Sequence, residues 1–316
     1  MTDAPGTLAL CIPAWNAEGV LPRLLESARR QSIPFDEVLV HDDASTDGTA
    51  RVAQSLGARV IRATENRGCS SGKNRLTAEA RSGWIHYRDA DDDLLPGFTE
   101  AARAWTGRAD APDAVLVAYE DRDPDGSVLA TCRFDDEALR RDPVRETLLH
   151  QHSNCGLYRR EAVLRAGGFD EDPRVLYNED DAFHLRLALA GLRFGADPRV
   201  GAVVVRRPGS MSRERPVECL RAKFHVLEKA ADAVDEGHRD AVALRLWRCA
   251  GALGSRLEWE YADRCLELAR RLGFPAPMEG KAWFRWTGRI HPRLALRVRE
   301  RAIRLLRPGL RSGRTP

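Results

Sequence analysis

An α/β fold is predicted for this chain: a mainly parallel sheet flanked by helices, followed by a helical C-terminal region. Three observations predict it. Over the first 120 residues, short apolar runs alternate with stretches of helical periodicity. Those runs are continuously apolar, and strand signals stop beyond Arg215. Continuous apolar strands separated by helices describe a sheet buried on both faces, the habit of parallel strands joined by crossover helices. With 43% hydrophobic residues, the 316-residue chain has material for a large core.

In chain order, residues 8–12 read as the first buried strand. Residues 20–31 follow as a helix, with Val20, Leu21, Leu24, Leu25 and Ala28 on one face. Further strands are expected at 38–40, 59–61, 84–87 and 114–119, with helices from about Thr46, over 74–81 and over 96–106. The pattern then loosens: a strand at 127–134, a helix at 136–150, a strand at 154–158, and a turn at Gly167-Gly168-Phe169-Asp170. A helix at 178–190, stopped by Gly191, precedes a strand at 200–206. Residues 218 to about 272 read as two or three helices. Gly273-Phe274-Pro275-Ala276-Pro277 breaks the chain before its tail. The expected domains are 1–215, 216–280 and a tail at 281–316.

Net charge is +3, but unevenly spread. The tail holds eleven basic residues against one acid, Glu300, a net +10 that leaves −7 on the rest. An acidic body argues against a nucleic-acid coat, which needs a positive field over much of the surface. Balanced charge and plentiful apolar residues exclude general disorder. No apolar run approaches the roughly 20 residues of a membrane span, and the N-terminus lacks the basic and apolar regions of a signal peptide. Seven cysteines without a CxxC pair fit neither a zinc site nor a disulfide framework. These signs together predict a cytoplasmic protein.

Ligands of such sheets bind at the carboxyl ends of strands, so the residues just after each strand carry most information. The first strand ends in Pro13-Ala14-Trp15-Asn16-Ala17-Glu18, and the second in Asp42-Asp43-Ala44-Ser45-Thr46-Asp47-Gly48-Thr49. The third leads to Asn66-Arg67-Gly68-Cys69-Ser70-Ser71-Gly72-Lys73-Asn74, and the fourth to Asp89-Ala90-Asp91-Asp92-Asp93. Together they describe an aromatic stacking wall, hydrogen-bond acceptors, a phosphate-friendly loop and a metal site. Ser45, Thr46 and Asp47 also suit helix capping. The Gly68–Gly72 spacing and Asn74 depart from a P-loop. Four acids in five residues repel one another unless a cation or solvent relieves them, and hard ions such as Mg²⁺ or Mn²⁺ take oxygen ligands. Asn178-Glu179-Asp180-Asp181 opens a helix. Asn178 suits a cap, and neighbouring carboxylates raise one another's pKa, which suits a general base.

These motifs, in this order and spacing over residues 7–212, resemble family 2 glycosyltransferases of the GT-A (Rossmann-like) fold. The last hundred residues carry no part of the resemblance. It implies an inverting transferase using a nucleoside-diphosphate sugar, most often a UDP-sugar, with Mn²⁺ or Mg²⁺. Residues 1–120 would bind the nucleotide sugar and 121–215 would face the acceptor. Pro13, Trp15 and Glu18 would line the nucleoside pocket, with Asp42 and Asp43 at its strand end and Asp43 meeting the base N–H. Lys73 would stand in for an Arg near the nucleotide. Asp89 and Asp91 would form the DxD pair, Asp91 as the better metal ligand and Asp89 nearer ribose and sugar. Asp180 would be the catalytic base and Glu179 would place the acceptor. Arg206, Pro208, Gly209, Ser210 and Ser212 resemble a segment that closes over the diphosphate.

This sequence departs from the family in Trp15 for Tyr, in Lys73 for Arg, and in the absence of a His from 206–212. The acceptor is unspecified: glycan, lipid-linked intermediate, peptide or small natural product. Two other functions compete with this one. A nucleotidyltransferase needs a Gly-rich basic loop after the first strand, which Pro13–Glu18 lacks. An inactive sugar-nucleotide-binding protein would not need Asp91 and Asp180. The tail reads as an amphipathic helix, Ala295, Val298, Ala302, Leu305 and Leu306 on one face and Arg293, Arg297, Arg304 and Arg307 opposite. Two occupants of that face stay open: an anionic membrane at the inner leaflet, or the body or a second subunit.

Overall fold

In the computed structural model, which describes residues 4–150, 155–207 and 214–311, the chain divides into two units. One comprises Met1–Thr147, His152–Glu171 and Glu179–Ser210; the other comprises Leu148–Gln151, Asp172–Asn178 and Met211–Pro316.

The first unit is built on one sheet. Its strands are β1 (Ala4–Ala14), β2 (Glu37–Asp42), β3 (Arg59–Arg62), β4 (Ser82–Tyr87), β5 (Asp93–Leu94), β6 (Ala114–Arg122), β7 (Val128–Cys132), β8 (Gly156–Arg159) and β9 (Phe194–Val205). They run in the order β3-β2-β1-β4-β8-β6-β9-β5, with β7 on β6. The first four strands are parallel, as the apolar runs predict. Beyond β4 the sheet is mixed, because β8 is antiparallel to both its neighbours and β5 and β7 are antiparallel additions. Successive residues of β1 feed two different cores. Leu8, Leu10 and Ile12 pack with Leu21, Leu24 and Phe98; Ala9 and Cys11 pack with Leu76, Tyr87 and Phe183. A sheet covered on both faces explains why the strands read as unbroken apolar runs.

The covering helices are α1 (Leu21–Arg29), α2 (Thr49–Ser55), α3 (Cys69–Glu79), α4 (Phe98–Thr106), α5 (Asp136–Arg141), α6 (Pro143–Leu149), α7 (Arg160–Arg165) and α8 (Glu179–Leu189). Three differences from the sequence reading have local causes. The helix expected over 136–150 is two, because Pro143 cannot donate to a continuing ladder and Asp142 turns to accept the Arg145 N–H (2.9 Å). The last strand begins at Phe194, six residues early; it crosses a bulge at Asp197-Pro198-Arg199, where Asp197 accepts from the Trp105 indole at 2.8 Å. α3 begins at Cys69 rather than Asn74, so the supposed glycine loop is mostly helix.

The second unit is helical: α9 (Pro216–Ala233), α10 (Arg239–Ser255), α11 (Trp259–Arg271), α12 (Ala282–Ile290) and α13 (Pro292–Leu306). In the tail, α13 buries Ala295, Leu296 and Glu300, while Val298, Leu305 and Leu306 are exposed. Arg297 pairs with Asp263 (2.8 Å), and Arg304 and Arg311 pair with buried Glu300 (3.0 and 2.8 Å). The helix is thus seated by Ala295 of the expected apolar face and also by Arg297 and Arg304 of the expected basic face. Arg293 and Arg307 are exposed, so the expected division of its faces is mixed. Among the described residues no helix is long and apolar enough to cross a membrane.

Candidate active site

The site is assembled from the strand ends of the first unit. The loops after β1 and β2 are stitched together by side chains. Asn16 N–H donates to Ser45 Oγ (2.9 Å), Thr46 N–H to Asn16 Oδ1 (2.9 Å), and Gly48 N–H to Glu18 Oε2 (2.8 Å). Asn16 and Ala44 both sit in the left-handed region, at φ 48° and 58°. For Ala44 that costs about 1 kcal/mol or more, held by the stitching. Ser45 and Thr46 therefore bridge loops, and Gly48 is the N-cap of α2 without a side-chain cap bond. Trp15 stands on this frame 58% exposed, an open ring at the end of β1.

The two acids closing β2 have different surroundings. Asp42 is fully buried; its carboxylate pairs with Arg62 (3.0 Å) and accepts the Ser45 N–H (3.0 Å). Asp43 accepts the N–H groups of Arg67 (3.0 Å) and Gly68 (2.8 Å), which fixes the entry to α3. Within α3, a Cβ on Gly72 would lie 3.0 Å from His41 Nδ1 and 3.4 Å from Pro13 Cβ. The helix seats against the ends of β1 and β2 there because that residue has no side chain.

That seating buries Lys73 completely. Its Nζ lies 3.2 Å from Asp180 Oδ1 in the first turn of α8 and 3.5 Å from Asp89 Oδ1 after β4. Phe169 lies beneath it, 5.1 Å from ring centroid to Nζ. Burial works against the lysine's charge, but Asp180 and then Asp89 outweigh it and raise its pKa well above the ordinary value. For Asp180 burial is the largest influence and raises its pKa; Lys73 opposes, and Glu179 and Asp89 add to the rise. Lys73 thus joins the residue expected as base to the first acid of the DxD pair. The resemblance to the family implies for it only a place near the nucleotide.

The acid run after β4 separates into distinct parts. Asp92 is buried against Arg88 (2.5 Å), and Asp93 lies 3.8 Å from Arg23. Arg88 also donates to the Val203 carbonyl (2.8 Å), tying the run to β9. Asp89 keeps a half-exposed side chain. Asp91 has its pKa raised by burial and by Asp89, with Arg207 opposing, and Arg207 also donates to the Asp91 carbonyl (3.1 Å). Two carboxylates on one short turn, Asp89 and Asp91, offer the oxygen ligands that a hard divalent cation takes. Among the described residues no group of three His, Cys, Asp or Glu could hold a metal. Asp89 and Asp91 are the residues that would hold a Mg²⁺ or Mn²⁺, through carboxylate oxygens of the kind these hard ions take.

Several supporting residues escaped the sequence reading. His184, one turn after Asp180, donates from Nδ1 to the Asp180 carbonyl (2.8 Å) and accepts from Tyr158 at Nε2 (2.7 Å), tautomers inferred from these partners. Burial lowers its pKa to about 4, so the ring is neutral. The i, i+4 spacing was the available signal. Asn178 donates its amide to the Cys219 carbonyl (2.7 Å) instead of serving as the expected cap. Arg206 pairs with Asp121 (2.8 Å); Pro208, Gly209, Ser210 and Ser212 lie outside the described residues.

Residues 9–165 match the family model described as glycosyl transferase family 2. The chain belongs to glycosyltransferase family 2. Among relatives of this family 2 chain, the succinoglycan biosynthesis protein ExoO of Rhizobium meliloti is 29% identical over 230 residues, covering 67% of this chain and 64% of ExoO. The chain thus spans just under two thirds of that relative's length. Two solved structures share the fold. Staphylococcus aureus TarS 1-349 in complex with UDP-GlcNAc has a TM-score of 0.65 at 17% identity, covering 95% of this chain and 92% of the other. The mannosyltransferase PcManGT from Pyrobaculum calidifontis, in complex with GDP-Man and Mn²⁺, has a TM-score of 0.60 at 19% identity, covering 97% and 84%. The sheet and its helices therefore have the GT-A arrangement that the sequence motifs resemble.

Proposed function

We propose that this family 2 chain transfers a sugar from a nucleoside-diphosphate sugar, a UDP-sugar foremost, to an acceptor nucleophile in one inverting displacement. The observation that carries the reading is the carboxylate of Asp180 held 3.2 Å from a buried lysine that also reaches Asp89. A carboxylate of raised proton affinity is a competent base near neutral pH. Asp180 takes the proton of the acceptor hydroxyl as that oxygen attacks the anomeric carbon. The bond to the diphosphate breaks on the opposite face, so an α-linked donor gives a β-linked product. Glu179, beside Asp180, orients the acceptor. Lys73 holds Asp180 and Asp89 in fixed relation, and His184 steadies the first turn of α8.

On the donor side, the exposed Trp15 ring offers a stacking face for the base, with Pro13 beside it. Glu18 and Asp42 shape the loops around that pocket, and Asp43 has remaining lone pairs for a base N–H. Asp91, with Asp89, would hold Mn²⁺ or Mg²⁺, which when bound offsets charge on the leaving diphosphate. The UDP- and GDP-sugar complexes of TarS and PcManGT support this class of donor.

The test pairs two variants. Asp180→Asn should abolish transfer in a sugar-nucleotide screen while UDP affinity by calorimetry stays near wild type. Asp91→Ala should remove the Mn²⁺-dependent part of that affinity. Parallel loss of transfer and binding in Asp180→Asn would show a structural role and overturn the assignment.

A further inference from the structure

The second unit carries a surface to which the proposed function assigns no role. Glu300 is the one acid in residues 281–316, and it is buried and paired with two arginines. On α12, Trp283, Trp286 and Ile290 recur at i, i+3 and i+7 and are 45–65% exposed. On α13, Leu294, Val298 and Leu305 follow at i, i+4 and i+11, 46–81% exposed. Arg285, Arg289 and Arg301 are exposed on the same two helices, with no carboxylate partner among the described residues. Beside them opens a cavity of about 900 Å³, lined by Trp247, Phe284, Leu296 and Ile303, with Arg299 and Arg307 in its wall.

A docked amphipathic helix normally hides its apolar stripe and solvates its charges. Here Arg297 and Arg304 face the unit's own acids, and an apolar stripe is left outward. Exposed apolar stripes at helical spacing on two successive helices mark a docking site. We propose that α12 and α13 dock on an anionic lipid bilayer. The outward tryptophans and aliphatic side chains enter the interface while the unpaired arginines meet acidic headgroups, the two signals that together give stable attachment. Charge decides against a second copy of the chain. A two-fold contact through this face would set arginine against arginine with no exposed acid on either helix.

The test uses the full chain and vesicles of phosphatidylcholine with and without phosphatidylglycerol. Co-sedimentation should require the anionic lipid and weaken with salt. The tryptophan emission shift on vesicle addition should vanish in Trp283→Phe/Trp286→Phe. Arg285→Gln/Arg289→Gln/Arg301→Gln should weaken binding roughly fivefold per arginine, on the order of 100-fold in total. Leu294→Ser/Val298→Ser/Leu305→Ser should release the chain with its melting temperature unchanged, since these side chains are exposed. Binding that is indifferent to lipid charge, or absent, or kept in both triple variants, overturns the proposal. So does a dimer in ultracentrifugation that the serine variant dissociates.

Discussion

Lys73 concentrates the energetics of the site in one side chain. A fully buried ammonium is tolerable only because two carboxylates face it, and those carboxylates depend on it in turn. Lys73→Met should therefore destabilise the fold by about 3 kcal/mol, through the uncompensated acids it leaves behind. Adding Asp180→Asn should recover part of that loss, and a double-mutant cycle by urea denaturation would read the coupling. Strict additivity would show that the two groups do not interact in solution. The acids of this site were legible in the sequence because carboxylates directly after buried strands are costly without a purpose. The role of Lys73 was not, since the stretch from Gly68 reads as a loop. In the fold those residues are helix, seated closely at Gly72 on His41 and Pro13, with Lys73 buried. Nor could spacing alone separate Asp92, bound to Arg88, from Asp91, the residue before it: adjacent acids on a turn meet different neighbours.

Among the elements, the turn after α7 shows how one glycine fixes the approach of two helices to the sheet. Gly168 has φ +64°, and a Cβ there would collide with Asn74 Oδ1. Asn74, from α3, accepts the Phe169 N–H (2.7 Å) and donates to the Phe169 carbonyl (3.1 Å) and to Glu171 (2.7 Å). This clamp places Phe169 flat on Phe183 of α8, ring centroids 3.9 Å apart, directly under Lys73. Gly168→Ala should cost about 1–3 kcal/mol from backbone strain plus the lost clamp. In an Asn74→Ala background the collision is gone, so the second substitution should cost less than it does alone; thermal melts of the four proteins would check this. The turn was readable as Gly-Gly-Phe-Asp, as were the parallel strands and most helices. Elements defined by partners were not: β5 is two residues long, and the start of β9 hides behind Asp197-Pro198.

For the whole molecule, the division between an acidic body and a basic tail acquires specific content. Part of the body's acid is structural, since Asp42, Asp92 and Asp93 face Arg62, Arg88 and Arg23. Buried ionisable groups also make stability depend on pH in two opposing senses. Burial raises Asp91, Asp92 and Asp180, so the folded state holds their protons more tightly and gains stability as pH falls. The histidines run the other way. His86 sits in β4 with Nδ1 donating to the Gly156 carbonyl (2.8 Å) and Nε2 buried without a partner among the described residues. Burial, then Arg88, lowers its pKa to about 3, and His184 is lowered to about 4. Their contribution is complete above the ordinary value of 6.5 and is lost as pH falls below it, because the unfolded chain takes up protons that the folded one refuses. The net slope of the wild type mixes both senses, so a difference between proteins isolates one. His86→Leu should be destabilised at pH 7, and its deficit should shrink by about 1.4 kcal/mol per pH unit below 6.5, since the wild type alone pays the protonation penalty. Denaturation midpoints of both proteins between neutral and mildly acid pH decide the matter: a deficit that stays constant would mean that the ring is protonated within the fold.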